Sequence, residues 1–370
     1  MTFSTLSQYF EKLEGTSSRL ALIDILSELF KKADKSEIDQ IIYLVQGRVA
    51  PFFAPVEIGM AEKNVASAVA LTYRSTKENV LKLYSRFGDM GLAVEDLSER
   101  HSGKRPKEAH PESLMVQRDS GQARLADAMA KRARMTVSVV FEILTKIAKT
   151  SGEGTVEKRQ ILFSDLLKKL DSISAKHLVR IPLGNTRLGI GDPTVLDALA
   201  LARLGDRSKR KLLEGAYNRT SDLGLIAKTL WSQGLRACEK LKVQVGKPIR
   251  SELCERLPTP EKAIEKMKVV DVQYKYDGFR VQIHLDRTRP IDRTRPTRSD
   301  ARDLVGQGQV SMFSRNLENM THMFPELIEG TLRQVKAKTA ILDCEALAYN
   351  PESEEFLPFQ ETTKRRRKHT

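Results

Sequence analysis

Apolar residues recur every three to four positions over most of the first 240 residues. Leu22, Ile25, Leu26, Leu29 and Phe30 fall on one face of a helix that Thr16-Ser17-Ser18 would cap. Ser36-Glu37-Ile38-Asp39 has the form of a capping box and opens a helix through Ile41, Ile42, Leu44 and Val45. Gly47 stops that helix, and Pro51 follows. The same period predicts helices over about 60–86, 122–149, 157–170, 194–204 and 222–233. Residues 98–120, with Ser98, His101, Gly103, Pro106 and Pro111, read as a long polar loop. No convincing two-residue alternation appears, so residues 1–240 are predicted to form an all-α domain.

The period changes near Val245-Gly246-Lys247-Pro248. Residues 241–258 read as a linker, and period two dominates from 259 to 370. Val270, Val272 and Tyr274 alternate with polar positions, as do Phe279, Val281, Ile283 and Leu285. Val310 with Met312, and Ala340-Ile341-Leu342, predict two further strands, and 317–337 contains a helix with Leu327, Ile328 and Leu332 inward. This second region is predicted to be α+β with antiparallel hairpins. Asp286-Arg287-Thr288-Arg289-Pro290 recurs as Asp292-Arg293-Thr294-Arg295-Pro296. A repeat of that composition cannot bury apolar area, so 286–308 reads as a disordered insertion between strands.

A length of 370 residues exceeds one ordinary core and agrees with two domains. No apolar run is long enough to cross a bilayer, and Met1-Thr2-Phe3-Ser4-Thr5 does not open a secretory signal. Cys238, Cys254 and Cys344 are too scattered for a metal knuckle and fit a reducing, cytoplasmic setting. The net charge of +14 favours a polyanionic partner, because neutralised phosphates release counterions.

Four clusters in the second region carry candidate chemistry. In Gln273-Tyr274-Lys275-Tyr276-Asp277-Gly278-Phe279-Arg280 a lysine stands ahead of an Asp-Gly turn. Lys-x-Asp-Gly resembles the spacing with which covalent nucleotidyl transferases take AMP or GMP onto a lysine nitrogen. Such an amine must be unprotonated to attack phosphorus, so nearby cations or desolvation must favour its neutral form. Arg280 would reach the pocket only if the Asp277-Gly278 turn re-aims it, with Gly278 supplying an unusual φ. The bland alternative is a hairpin turn with an exposed lysine. Phe313-Ser314-Arg315-Asn316 offers an arginine for a phosphate, or else an N-cap by Ser314 or Asn316. In Ala340-Ile341-Leu342-Asp343-Cys344-Glu345, Glu345 could hold a ribose hydroxyl or a magnesium ion, or simply lie on a polar strand face. Phe359 could stack on a base, and the basic run Lys364–Lys368 could meet phosphates.

In order, these clusters resemble motifs I, Ia, III and IIIa of ATP-dependent DNA ligases of the archaeal and eukaryotic replicative type. Upstream, Tyr43-Leu44-Val45-Gln46-Gly47-Arg48-Val49, Gly88-Asp89-Met90-Gly91, Gly152-Glu153-Gly154-Thr155, Arg187-Leu188-Gly189-Ile190-Gly191 and Ser221-Asp222-Leu223-Gly224 are each similar to a phrase of that family's helical DNA-binding domain. Gly246-Lys247-Pro248-Ile249-Arg250 is similar to its approach to the adenylation domain.

The resemblance implies a helical DNA-binding domain followed by part of an antiparallel nucleotidyltransferase adenylation domain. It implies ATP and magnesium as cofactors, nicked duplex DNA as substrate, a sliding clamp as partner, and a place in the cytoplasm, at the nucleoid in a prokaryote. Lys275 would become the adenylated residue. Gln273 stands where the family usually has a carboxylate that reads the adenine amino group. Arg280 and Arg315 would contact nucleotide and nick phosphate, Glu345 the ribose or metal, and Phe359 the base. Gly152, Gly154, Thr155, Lys158, Arg187, Gly189 and Gly191 would meet DNA phosphates at helix starts. The phrases expected after motif IIIa, including a motif IV carboxylate and motif V lysines, do not follow before Thr370. A truncated ligase of doubtful activity is therefore expected. A non-catalytic nick-binding fragment is the alternative, with an RNA-capping guanylyltransferase or RNA ligase behind it.

Overall fold

A computed structural model describes residues 1–101, 135–252, 255–288 and 309–364. The predicted insertion from 289 to 308, the predicted polar loop from 102 to 120, the predicted helix over 122–134, Cys254 and the basic run from Arg365 lie outside the described residues. The chain divides into two compact units. One comprises Met1–Pro51, Val56–Ala216 and Asp222–Lys240; the other comprises Phe52–Pro55, Tyr217–Ser221 and Leu241–Thr370. Residues 241–252, predicted as linker, thus cluster with the second unit.

The first unit is helical, and among its described residues no strand occurs beyond an isolated Thr2–Thr136 bridge. Helices run over Arg19–Lys32, Ile38–Val45, Val137–Lys149, Thr155–Leu167, Asp192–Leu204 and Leu223–Gln233, close to the predicted spans. The 60–86 stretch is two helices, Glu62–Tyr73 and Lys77–Phe87. Arg74 takes a left-handed conformation (φ 53) between them, and Thr76 caps the second. Residues 98–101 close the Met90–His101 helix rather than opening a loop. Ser18 caps its helix as expected, accepting from the Ala21 N–H at 3.4 Å. The capping box does not form, because its residues are engaged elsewhere. Ser36 donates to Asp34, while Glu37 accepts from the Asp34 N–H and the buried N-terminal amine of Met1.

A buried ion network ties the Phe3–Glu14, Met90–His101 and Ser172–Arg180 helices together. Arg180, 2% exposed, donates to Asp89 through Nε and Nη2 and to Glu14 through both terminal nitrogens. Lys176 pairs with Glu11 at 2.7 Å, and His177 lies 2.6 Å from the same carboxylate. Burial lowers the His177 pKa to about 4, against the pull of Glu11. Burial pushes the Asp89 carboxyl up. Hydrogen bonds from Arg180 and the Leu92 N–H, with the charges of Arg180 and Arg187, outweigh it and hold the group below the usual carboxylate range.

The core of the second unit is an antiparallel sheet ordered β2-β1-β3, with β1 Phe279–Asp286, β2 Val310–Ser314 and β3 Thr339–Ala346. Val281, Ile283 and Leu285 pack with Met312, Met320, Phe324 and Ile328 into one core. The predicted 317–337 helix is a short 3-10 turn, Thr321–Met323, and then the helix Pro325–Gln334. Arg287 donates to the carbonyls of Leu332 and Val335 at that helix's end, so residues 286–288 belong to the folded unit rather than to the insertion. β4 (Ala348–Asn350) and β5 (Glu355–Leu357) form a separate hairpin, followed by the helix Phe359–Thr363.

The polar face of β1 is buried as well. Gln282 and His284 are 4% and 1% exposed. Gln282 Oε1 accepts from the Ile249 N–H at 2.7 Å and its amide donates back to the Ile249 carbonyl. His284 Nδ1 accepts from the Gly246 N–H at 2.9 Å, which leaves Nε2 as donor to Gln282 Oε1. Burial lowers the His284 pKa to about 4. Below pH 6.5 the unfolded imidazole takes a proton that the folded one takes only near 4, so stability falls across that window. The expected loss is on the order of 3 kcal/mol for each of His177 and His284. Thermal midpoints measured from pH 7 to 4 should drop, and His284→Asn, whose carbonyl replaces Nδ1 as acceptor, should shrink the drop.

Candidate functional site

An open cleft of about 680 Å³ in the second unit is lined by Gln273, Tyr274, Lys275, Tyr276, Arg280, Asp343, Cys344 and Glu345. The β1–β3 register sets Arg280 opposite Glu345 and Gln282 opposite Asp343. Arg280, Asp343 and Glu345 therefore share the face that Gln282 and His284 occupy further along. Residues 246–249 cover the far end of that face, and the near end is the cleft.

Lys275 precedes β1 in an extended segment that pairs with no strand among the described residues. The predicted strand through Val270, Val272 and Tyr274 is not part of the sheet. Val269, Val272 and Tyr274 are 88%, 85% and 87% exposed. Of the bland alternative, the hairpin does not form, since β1 pairs with β2 and β3 and not with this segment, but the lysine is exposed as that alternative had it. The backbone bends at Gly278, so Lys275 and Arg280, on opposite faces of a straight strand, both line the cleft. Gly278 does not adopt a positive φ. Its requirement is steric: a Cβ there would come within 2.6 Å of the Glu345 side chain and 2.8 Å of the Ala346 carbonyl.

Arg280 donates through Nη2 to Asp343 at 2.8 Å, while its buried Nη1 has no partner. Glu345 is exposed in the cleft with no protein partner among the described residues. An unpartnered guanidinium nitrogen, a carboxylate and an amine around one cleft fit the phosphates and ribose of a nucleotide. Glu345 also supplies an oxygen suited to magnesium. The Cys344 thiol is pushed up by burial and by Asp343, which suits a wall residue better than a nucleophile.

Two predicted residues lie outside this cleft. Phe359 stacks on Phe279, ring centroids 5.9 Å apart at 7°, beside Phe324 on the core side. Arg315 is exposed at a tight turn in which Ser314 Oγ accepts from the Asn316 and Glu318 N–H groups and Leu317 is left-handed (φ 67). No helix starts there, so neither Ser314 nor Asn316 is a helix N-cap. Asp343, Tyr276, Gln282 and His284 were not singled out from sequence as site residues. For Asp343, Gln282 and His284 the only signal is polar alternation along β1 and β3, and for Tyr276 it is adjacency to Lys275.

In the first unit the upstream phrases meet in pairs. A Cβ on Gly224 would collide with the Tyr43 ring, whose hydroxyl donates to Asp222 at 2.8 Å. Gln46 donates to Asp192, and Gly47 packs against Thr186. Arg187, left-handed at φ 56, pairs with Asp89 through Nε at 2.8 Å and donates to the Gly88 carbonyl at 2.6 Å. The exposed Gly189 (φ 65) and Gly191 lead from it into the Asp192–Leu204 helix. Gly154, left-handed at φ 69, is N-cap of the Thr155–Leu167 helix, and Lys158 folds back to the Glu153 carbonyl. Both are exposed helix starts, but only the one at Gly154 keeps a first turn of N–H groups for an anion; at the other, Pro193 has none and the Thr194 and Val195 N–H groups donate to the Gly191 carbonyl.

The chain thus carries a helical unit with two such turns and a sheet unit bearing a lysine–arginine–carboxylate cleft. A family model described as DNA ligase N terminus matches residues 2–200, and one described as ATP dependent DNA ligase domain matches 297–370. The chain is 40% identical over 369 residues to a probable DNA ligase of Dictyoglomus turgidum. It is 37% identical over 372 residues to a DNA ligase of Saccharolobus solfataricus and 38% over 371 to one of Staphylothermus marinus. Each comparison covers 100% of this chain but 55–57% of the relative, so the chain spans about half the length of the curated relatives it matches. The chain belongs to the ATP-dependent DNA ligase family.

Substituting Gly278→Ala should cost about 1–3 kcal/mol, the usual range for an overpacked site. The Cβ would also meet the Leu347 side chain at 2.5 Å, so Glu345, Ala346 and Leu347 must shift together and the thermal midpoint should fall.

Proposed function

We propose that the chain carries the lysine and DNA-holding parts of an ATP-dependent DNA ligase. The observation that carries this reading is the convergence of Lys275, Arg280 and Glu345 on one cleft with Arg280 Nη1 unpartnered. In the first step the neutral Lys275 Nζ attacks the α-phosphorus of ATP. The P–N bond forms as the bond to the β-phosphate oxygen breaks, pyrophosphate leaves, and the amine loses a proton. AMP then passes to the 5′-phosphate of a nick, freeing the lysine. The 3′-hydroxyl finally attacks that phosphate and expels AMP, joining the strand.

The residues of this chain act by positioning and charge. Arg280 holds the α-phosphate side of the nucleotide, and Asp343 fixes its guanidinium. Glu345 holds the ribose or a magnesium ion, which would neutralise phosphate charge when bound. Gln273 presents an amide that can accept from an adenine amino group. The turns at Gly152–Thr155 and Arg187–Gly191, with Lys158, hold duplex phosphates. Arg315 reaches the nick phosphate and Phe359 approaches the base only if bound DNA or nucleotide moves their segments. The protein acts in the cytoplasm, at the nucleoid in a prokaryote, with a sliding clamp as a partner expected of such enzymes.

The exposure of the unpaired 269–276 segment favours a second reading, in which this chain only binds nicked duplex. Incubation with α-labelled ATP and magnesium separates the two. Label is expected on the wild type, none on Lys275→Ala, and at least tenfold less on Arg280→Ala. Tight, salt-sensitive nick binding with no label, indifferent to Lys275→Ala, would establish the binding reading instead. Label from GTP in place of ATP would point to capping-type chemistry.

A further inference from the structure

Beyond the turns at Gly152 and Gly189 lies a cationic patch that neither the sequence phrases nor the family comparison assigns. The segment Arg203–Lys211 holds Arg203, Arg207, Lys209, Arg210 and Lys211 with Asp206 as its single acid. Asp206 does not neutralise them. Its carboxylate accepts from the Ser208 N–H at 2.8 Å and the Ser208 hydroxyl at 2.6 Å, capping the short 3-10 turn Arg207–Lys209. Those bonds hold its carboxyl below the usual range, so it stays an occupied anion. Two cations are engaged by the fold. Arg210 donates to Glu214 at 2.8 Å, and Arg203 lies over the Trp231 ring. Arg207, Lys209 and Lys211 are exposed and make no ion pair among the described residues, Lys209 adding only the pull of its charge on Asp206.

Their place in the fold gives this patch a partner. The Asp192–Leu204 helix has 13 residues, so at ~1.5 Å per residue it is about 20 Å long. The Gly189–Gly191 turn opens it and the patch follows its end at Gly205. One rigid rod therefore carries the exposed Gly189 turn at one end and three unpaired cations at the other. A span of about 20 Å is roughly six base pairs at 3.4 Å per phosphate on one strand. We propose that Arg207, Lys209 and Lys211 form a second, sequence-independent duplex contact, gripping backbone phosphates about half a helical turn from those met by the Gly189 turn. The inference rests on the reading of the first unit as a duplex binder. Long flexible cations without fixed partners suit a contact that specifies no sequence but adds affinity and salt dependence.

The test is the salt dependence of binding to a nicked duplex of about 30 base pairs, by fluorescence anisotropy on the full chain. The triple variant Arg207→Gln, Lys209→Gln, Lys211→Gln should bind at least tenfold more weakly at low salt. Its slope of log affinity against log salt should fall by about 2–3, at ~0.9 for each phosphate no longer neutralised. These side chains are exposed, so the thermal midpoint should stay at the wild-type value, and the single variant Lys211→Glu should show the same trend alone. An unchanged slope in both variants, with wild-type binding steeply salt-dependent, overturns the patch and leaves the duplex reading standing. Wild-type protein that binds no duplex overturns both.

Discussion

The architecture of the cleft depends on a single strand that is buried on both faces. β1 presents Val281, Ile283 and Leu285 to the hydrophobic core and Gln282 and His284 to residues 246–249. A buried amide and imidazole carry a desolvation cost unless every polar atom finds a partner. Here the two side chains satisfy each other and the Gly246 and Ile249 backbone, so the polar face becomes a clamp. With both faces occupied, β1 cannot slip by a residue without burying Arg280 and exposing Val281. That fixed register is what puts Arg280 opposite Glu345, and the bend at Gly278 then sets where Lys275 begins its approach. The chemistry of the cleft is thus anchored by groups that never touch it.

The helical unit solves a similar problem with charge. Asp89 accepts from Arg180, from the Leu92 N–H at the head of its helix, and from Arg187. Breaking such a network by removing one member leaves an uncompensated buried charge, typically at a cost of about 3–5 kcal/mol. The arrangement therefore specifies one geometry for the Phe3–Glu14, Met90–His101 and Ser172–Arg180 helices. It also reaches the surface, because Arg187 is the first residue of the Gly189 turn. The conformation of that turn, with Arg187 and Gly189 both left-handed, is set from inside the unit.

Helical periodicity found the helices of the first unit that bury one stripe, as at Leu22, Leu26, Leu29 and Phe30, and gave no span for Ser172–Arg180, whose residues 174–180 are all buried, charged ones included. Its misreadings are local competitions that period does not report. Ser36 and Glu37 have the letters of a capping box, but the N-terminal amine and Asp34 offer them better partners. The alternation in 270–274 matches a strand as well as β1 does, yet its exposed Val272 and Tyr274 meet no ladder. Periodicity measures the shape of a segment and not the presence of a neighbour. Conversely, Gln282 and His284 look solvent-facing in any alternation scheme, since the 246–249 segment that buries them lies more than thirty residues away. Family resemblance identified Lys275, Arg280 and Glu345 as a group where composition could not. It did not anticipate that Gly278 is required by a steric approach rather than by φ.

The charge of the chain takes on a sharper meaning once the interior is known. The buried network sets Asp89, Glu14, Glu11 and Glu95 against Arg180, Lys176 and Arg187, an acid-rich balance. Within the described residues that network is matched group by group, and Arg187 carries it to an exposed turn. Outside that network carboxylates serve both ends: Asp206 caps a turn, whereas Glu28, Asp165 and Asp39 pair with Lys32, Lys168 and Lys228. At the cleft the balance is different again: Arg280 keeps one terminal nitrogen on Asp343 and leaves the other buried without a partner, beside an exposed Glu345 that is unpartnered among the described residues.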